Sequence, residues 1–162
     1  MNPSAPRAGR RPVLAVALYA ALTGAALAAE SGAPVDTLAS GSFSGIDQPQ
    51  QTVLHDAAAY AALWILHAAH EDPPAVAPAV DFGKETVAAV FAGSQPNGGV
   101  TLAATDLKRE GAGWHLRLEL RKPGPDCIVT QVMTQPWALV RIPGKGQNVR
   151  ITTQETVTPC GP

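Results

Sequence analysis

The fold is decided by residues 81–101, which read DFGKETVAAVFAGSQPNGGVT. Within this stretch, residues 87–92 form an unbroken apolar run, with charged residues before it and Gly93 after it. Such a run is typical of a strand buried on both faces, and we predict a central strand here. The Pro96-Asn97-Gly98-Gly99 segment predicts a tight turn into the next strand, with positive φ at the glycine pair.

One helix and several short strands are predicted around this stretch. Asp56 is a candidate N-cap, and Tyr60, Leu63, Trp64 and His67 recur at helical spacing, which predicts a helix over about residues 57–70. The predicted strands cover residues 40–46, 51–54, 100–107, 114–121, 127–134, 137–142 and 149–157. Short turns between consecutive strands favour an α+β fold, a mainly antiparallel sheet of about six to eight strands with one helix packed on it.

The N-terminal residues predict export. Arg7, Arg10 and Arg11 precede an apolar run over residues 13–27, and Ala26-Leu27-Ala28 is typical of a secretory cleavage site. A spanning helix needs about 20 predominantly apolar residues, so we expect no stable membrane insertion after signal cleavage. The paired Arg10 and Arg11 leave Sec and twin-arginine export both open. The predicted location is periplasmic or secreted.

Three segments are therefore predicted along the chain. Residues 1–28 are a signal peptide, residues 29–38 a flexible leader and residues 39–162 a single domain. Removing residues 1–28 leaves nine cationic and 13 acidic side chains, a formal charge of −4. Nucleic acid and anionic membrane surfaces require a basic patch. We therefore expect neither as a partner.

The two cysteines, Cys127 and Cys160, predict one disulfide in an exported protein. Closing the loop between them would stabilise the fold by about 3 to 4 kcal/mol in the chain-entropy model. Two free thiols are the alternative. Neither cysteine lies near the predicted cleavage site, so no lipid anchor is expected.

A His-x-x-His-Glu cluster, formed by His67, His70 and Glu71, lies near the end of the predicted helix. Residues three and four apart share a helix face, so these side chains could reach one metal ion. The spacing differs from the zincin signatures, and His67 also lies on the aromatic packing face. We predict no metal and no cofactor, and keep a metal-binding protein or metalloenzyme as an alternative.

No catalytic set is predicted. The sequence has no G-x-S-x-G nucleophile motif, and a disulfide would leave no thiolate. Asp81 and Glu85 flank the central strand and could form an acid pair, although carboxylates at such positions are usually solvated or capping.

Two turns form the candidate interface. One is Asn97-Gly98-Gly99 and the other is Gln135-Pro136-Trp137. An exposed Trp beside a Pro-led turn is a good anchor for a protein partner, whereas a core position for Trp137 is the alternative. The same two turns would present the inhibitory loops of a β-rich protease inhibitor, which is a further alternative function.

An ordered series of short motifs resembles the C-terminal domain family of the protease complex subunit PrcB. The motifs are Leu63-Trp64, Val80-Asp81-Phe82, the run 87–93, Pro96 with Gly98-Gly99, the strand 116–120, Pro123-Gly124, residues 134–140 and Ile142-Pro143. They span about residues 60–143, roughly half of the chain.

The resemblance implies an exported, non-catalytic α+β module that binds a protein partner and supports the assembly or stability of an extracellular protease complex. The chain departs from the family at Val100, where an aromatic residue commonly follows the paired glycines. It also lacks the lipid-accepting cysteine of the namesake lipoprotein, so a partner other than a cell-surface protease stays open.

Overall fold

The computed structural model describes Met1 and residues 34–160, and residues 2–28 of the predicted signal peptide and residues 29–33 of the predicted leader lie outside them. Its elements in chain order are β1 (Asp36–Gly41), β2 (Gln50–Leu54), α1 (Ala57–His67), a 3₁₀ helix (Ala68–His70), β3 (Glu85–Phe91), β4 (Thr101–Glu110), β5 (Gly113–Pro123), β6 (Trp137–Pro143) and β7 (Val149–Thr158). None of the helices within the described residues has the length and apolar character needed to span a bilayer.

The strands form two sheets. The central sheet has the order β1-β6-β3-β2, and all of its neighbours are antiparallel. The outer sheet has the order β4-β5-β7, in which β4 and β5 are antiparallel and β5 and β7 are parallel. The α+β class, the mostly antiparallel pairing and the number of strands are confirmed, while the expected single sheet is replaced by two.

The central sheet is the middle of three layers. Its strand β3 is buried along six of its seven residues, as the apolar run predicted. Ala88, Val90 and Val140 face the outer sheet, where Leu116 and Leu118 of β5 complete a shared core. The opposite face contributes Val87, Ala89, Phe91 and Leu139 to a second core under the helix. The small side chains of β3 let both layers approach closely.

The helix covers the second face of the central sheet. Asp56 accepts a hydrogen bond from the Ala59 N–H at 2.8 Å, which confirms the predicted N-cap. Tyr60 is buried in the core beneath the helix, and Leu63 and Trp64 pack against that core. The predicted helix is therefore confirmed as α1 followed by one 3₁₀ turn.

The predicted strand over residues 51–54 is confirmed as β2, whereas the first strand differs from its predicted position. β1 begins at Asp36, inside the predicted leader, and residues 42–49, which include most of the predicted strand 40–46, form a loop. β1 and β2 do not form a hairpin, because β1 pairs with β6 and β2 pairs with β3.

The segment between β3 and β4 is also not a hairpin. It carries the chain from the central sheet to the outer sheet, since β3 and β4 belong to different sheets. The predicted strand over residues 127–134 is a loop with one isolated bridge, between Gln95 and Thr134. The side chains of Ile128, Val132 and Met133, which lie in this predicted strand, are instead exposed to solvent.

Candidate partner-binding surface

The glycine pair at the β3–β4 crossover is required by close packing. Neither Gly98 nor Gly99 has positive φ, so the predicted left-handed turn is wrong. A Cβ at Gly98 would clash with the Thr130 hydroxyl, and a Cβ at Gly99 would lie 2.8 Å from Val129 Cγ1. The glycines therefore leave room for the loop of residues 127–134, hereafter the tethered loop.

The tethered loop is fixed at both ends and in the middle. Cys127 and Cys160 form the predicted disulfide, with their Cα atoms 5.2 Å apart. Gly98 N–H donates to the Thr130 carbonyl at 3.0 Å. At the far end, the Thr134 hydroxyl donates to the Asn97 carbonyl at 2.9 Å. These contacts hold the loop against the crossover, although within residues 34–160 its one bridge is the isolated pair Gln95 and Thr134 at its end.

Three apolar side chains of the tethered loop face outward. Ile128 is fully exposed, Met133 is 62% exposed and Val132 is 43% exposed. A backbone that is already fixed loses little further conformational freedom when a partner covers its side chains, which favours binding. The loop is thus an exposed apolar surface, and Asn97, Gly98 and Gly99 form its support.

The second predicted turn lies in the core. Trp137 is 7% exposed, and Pro136 is fully buried. The Trp137 ring lies 4.0 Å from the His67 ring and 6.1 Å from the Trp64 ring, between centroids. Trp137 therefore cannot act as an exposed anchor, which corrects the interface hypothesis for this residue; Gln135 is partly exposed.

The histidine cluster at the end of α1 takes part in packing. His67 is buried, and its Nδ1 lies 3.0 Å from the Ser44 hydroxyl. Ser44 Oγ also accepts from the Ile46 N–H at 3.1 Å, and the imidazole tautomer decides which group donates between His67 Nδ1 and the hydroxyl. Burial lowers the pKa of His67, and the neighbouring His70 lowers it further.

His70 and Glu71 contact each other and the backbone. His70 Nδ1 lies 2.9 Å from the His67 carbonyl, and its Nε2 lies 3.5 Å from a Glu71 carboxylate oxygen. Within residues 34–160, no group of three His, Cys, Asp or Glu side chains is arranged to hold a metal ion.

Asp81, before β3, and Glu85, its first residue, lie next to different cations. Asp81 lies 3.1 Å from Lys84, whose hydrogen bond lowers the pKa of that carboxyl. Glu85 lies 3.0 Å from Arg141 on the adjacent strand. The acid pair considered from the sequence is thus two separate ion pairs.

The exposed residues of the tethered loop are absent from the interface predicted from the sequence. Residues 127–134 were predicted as a strand, which would have buried part of these side chains. Their exposure depends on the packing of the loop against Gly98 and Gly99, which are distant in the sequence.

Comparison of the sequence with models of known protein families finds one match. Residues 86–143 match the family described as PrcB C-terminal, which confirms the resemblance over β3 to β6. No curated protein and no solved structure matches the chain.

Proposed function

We propose that this protein is an exported, non-catalytic accessory module that binds a protein partner, and that the partner belongs to a protease complex outside the cytoplasm. The family match over residues 86–143 supports the link to a protease complex. The disulfide supports an oxidising compartment, where such bonds persist. The predicted signal peptide agrees with periplasmic or secreted location.

The observation that carries the proposal is the exposed apolar surface of the tethered loop. Ile128, Val132 and Met133 lie on a segment that a disulfide and a buried threonine hold in place. A partner that covers these side chains removes their apolar area from water, which favours binding. The tethered loop is therefore the contact through which the module would support its partner's assembly or stability.

The two other functions considered from the sequence are less well supported. An inhibitor that presents Pro136 and Trp137 is disfavoured, because both side chains are buried. A metal site at His67 and His70 is disfavoured, because His67 is buried against Trp137 and no third metal-ligating side chain is grouped with the two histidines within residues 34–160. Neither alternative uses the exposed loop.

Site-specific photo-crosslinking in the native envelope tests the proposal. A photoreactive amino acid replaces Met133 in one variant and Ile65 in another. Ile65 is a matched control, because it is an exposed apolar residue on the helix. Crosslinked proteins are then identified by mass spectrometry.

The expected result is a protease, or a protein bound to one, that is captured from position 133 and not from position 65. Loss of the captured protease from cells that lack this chain would support a stabilising role. Equal capture from both positions, or capture of no component of a protease complex, would contradict the proposal.

A further inference from the structure

Among residues 34–160, the strand β7 lies at the edge of the outer sheet and has one backbone partner, β5. Trp114 N–H donates to the Asn148 carbonyl before β7, and Gly124 N–H donates to the Thr158 carbonyl at its end. Because backbone groups alternate sides along a strand, the even-numbered residues of β7 bond β5. The odd-numbered residues direct their N–H and carbonyl groups to the free edge; they are Val149, Ile151, Thr153, Glu155 and Val157.

The other sheet edges carry features that discourage strand pairing. The register of β1 is broken after Thr37, and that of β4 is broken after Ala104. β4 also carries Lys108 and Arg109, and β2 has five residues. Bulges, charges and short length are the usual protections of an edge. β7 has ten residues, no proline and an unbroken register with β5.

A groove follows the free edge of β7 where the two sheets meet. Gln51 Nε2 of β2 donates to the Thr153 hydroxyl at 3.1 Å, and no backbone pairing joins β2 to β7 in the described residues. One cavity of about 550 Å³ adjoins Val53 and Val149, and a second of about 450 Å³ adjoins Gln51 and Thr153. The apolar residues that line the cavities include Trp114 in the first and Phe91, Leu102 and Leu120 in the second.

The charged groups beside the groove are already paired. Arg150 lies within 2.7 Å of Glu110, and Lys122 lies 2.8 Å from Glu155. The free edge therefore offers backbone donors and acceptors beside a charge-balanced groove, which is mainly apolar next to Thr153 and of mixed polarity next to Val149. A peptide segment that is complementary to this edge and groove has unpaired backbone amides and carries apolar side chains at alternate positions.

We propose that an extended peptide segment of the partner protein pairs with the free edge of β7 and displaces the Gln51 side chain from Thr153. The segment places uncharged apolar side chains over the groove and polar side chains toward solvent. This inference rests on the proposed function, because it names the kind of segment that the module binds. Pairing along β7 would add a fourth strand to the outer sheet.

Residue-resolved amide hydrogen exchange tests the proposal. The probe is a pool of capped peptides of about nine residues, a length that covers β7, in which Val or Ile alternates with Ser or Thr. The control pool has the same sequences with alternate amides N-methylated, which removes backbone donors and keeps the side chains. The unmethylated pool is expected to slow exchange about tenfold or more at the odd-numbered amides of β7. The even-numbered amides are already bonded to β5 and should not change.

Two variants act in opposite directions. Thr153→Pro removes an outward N–H without removing a bond to β5, so the sheet should persist while the peptide-induced protection is lost. Gln51→Ala frees the edge, and the peptides should bind about two- to tenfold more tightly, the equivalent of one net hydrogen bond.

Three results would overturn the inference. They are unchanged exchange at the odd-numbered amides, equal protection by the methylated pool, and protection without peptide that rises with protein concentration. The last result would assign the edge to a second copy of the chain. The crosslinking experiment at Met133 does not use the edge of β7, so the proposed function and this inference can fail separately.

Discussion

Replacing Gly98 with Ala tests whether the glycine pair is required by the close approach of the tethered loop. A Cβ at this position would clash with the Thr130 hydroxyl and lie 3.2 Å from Val132 Cγ1. Overpacking of this kind costs about 1 to 3 kcal/mol. Because φ of Gly98 is not left-handed, Ala can adopt the same backbone conformation. Ala also lowers the conformational entropy of the unfolded chain, which offsets about 0.4 to 1 kcal/mol of the overpacking cost. We expect a net loss of about 1 to 2 kcal/mol, roughly 3 to 10 °C in Tm.

The assay is urea unfolding of the oxidised protein in a double-mutant cycle with Thr130→Ala. The Thr130 substitution keeps the carbonyl that accepts from Gly98 N–H and removes the clashing hydroxyl. It should recover most of the stability lost by Gly98→Ala, with a coupling energy of about 1 kcal/mol. An unchanged stability of Gly98→Ala, or a loss that Thr130→Ala does not relieve, would refute the close-approach explanation.

Three further predictions concern stability. Burial lowers the pKa of His67 below its ordinary value of 6.5, so the imidazole binds a proton more readily in the unfolded chain than in the folded one. The contribution of His67 to the free energy of unfolding should therefore be complete above about pH 6.5 and decrease as the pH falls below that value. Urea unfolding from about pH 7 to pH 5 checks this, and His67→Gln should flatten the slope more than His55→Gln does. Serine at both Cys127 and Cys160 should lower the free energy of unfolding by about 3 to 4 kcal/mol, measured by chemical denaturation against the oxidised protein. Thr86→Val removes a buried hydroxyl that bonds two backbone groups of the β6–β7 turn. The free energy of unfolding, measured by thermal unfolding, should fall by about 1 to 3 kcal/mol for Thr86→Val, whereas Thr86→Ser should retain most of the stability.

The local features of the fold could be predicted from the sequence because each rests on a short-range pattern. The alternation from Trp114 onward placed the buried and exposed faces of β5, and the run of small apolar residues placed β3 in the middle of the molecule. Asp56 marked the start of the helix. Burial pattern and capping are properties of neighbouring residues, which a sequence displays directly.

The pairing of strands could not be predicted in the same way. β6 follows β5 in the chain but lies between β1 and β3 in the central sheet, so β7 returns parallel to β5. Alternation within a strand says which face is buried and does not say which strand is its neighbour.

The candidate site was predicted in part. Asn97, Gly98 and Gly99 do support an exposed surface, but for a reason that involves Thr130, more than thirty residues away in the chain. Trp137 satisfies the same apolar pattern whether it faces a partner or the helix, and here His67 and Trp64 cover it. Contacts between distant segments decide both cases.

The central claim is that the tethered loop binds the partner, and the most direct test is the affinity of loop variants for the protein captured from position 133. The Ile128→Asp/Met133→Asp variant changes the loop, and Ile65→Asp/Leu66→Asp makes the same change on the exposed helix face. Isothermal titration calorimetry should show at least about a tenfold loss of affinity, about 1.4 kcal/mol, for the loop variant and no change for the helix variant. Unchanged affinity of a folded loop variant would contradict the claim.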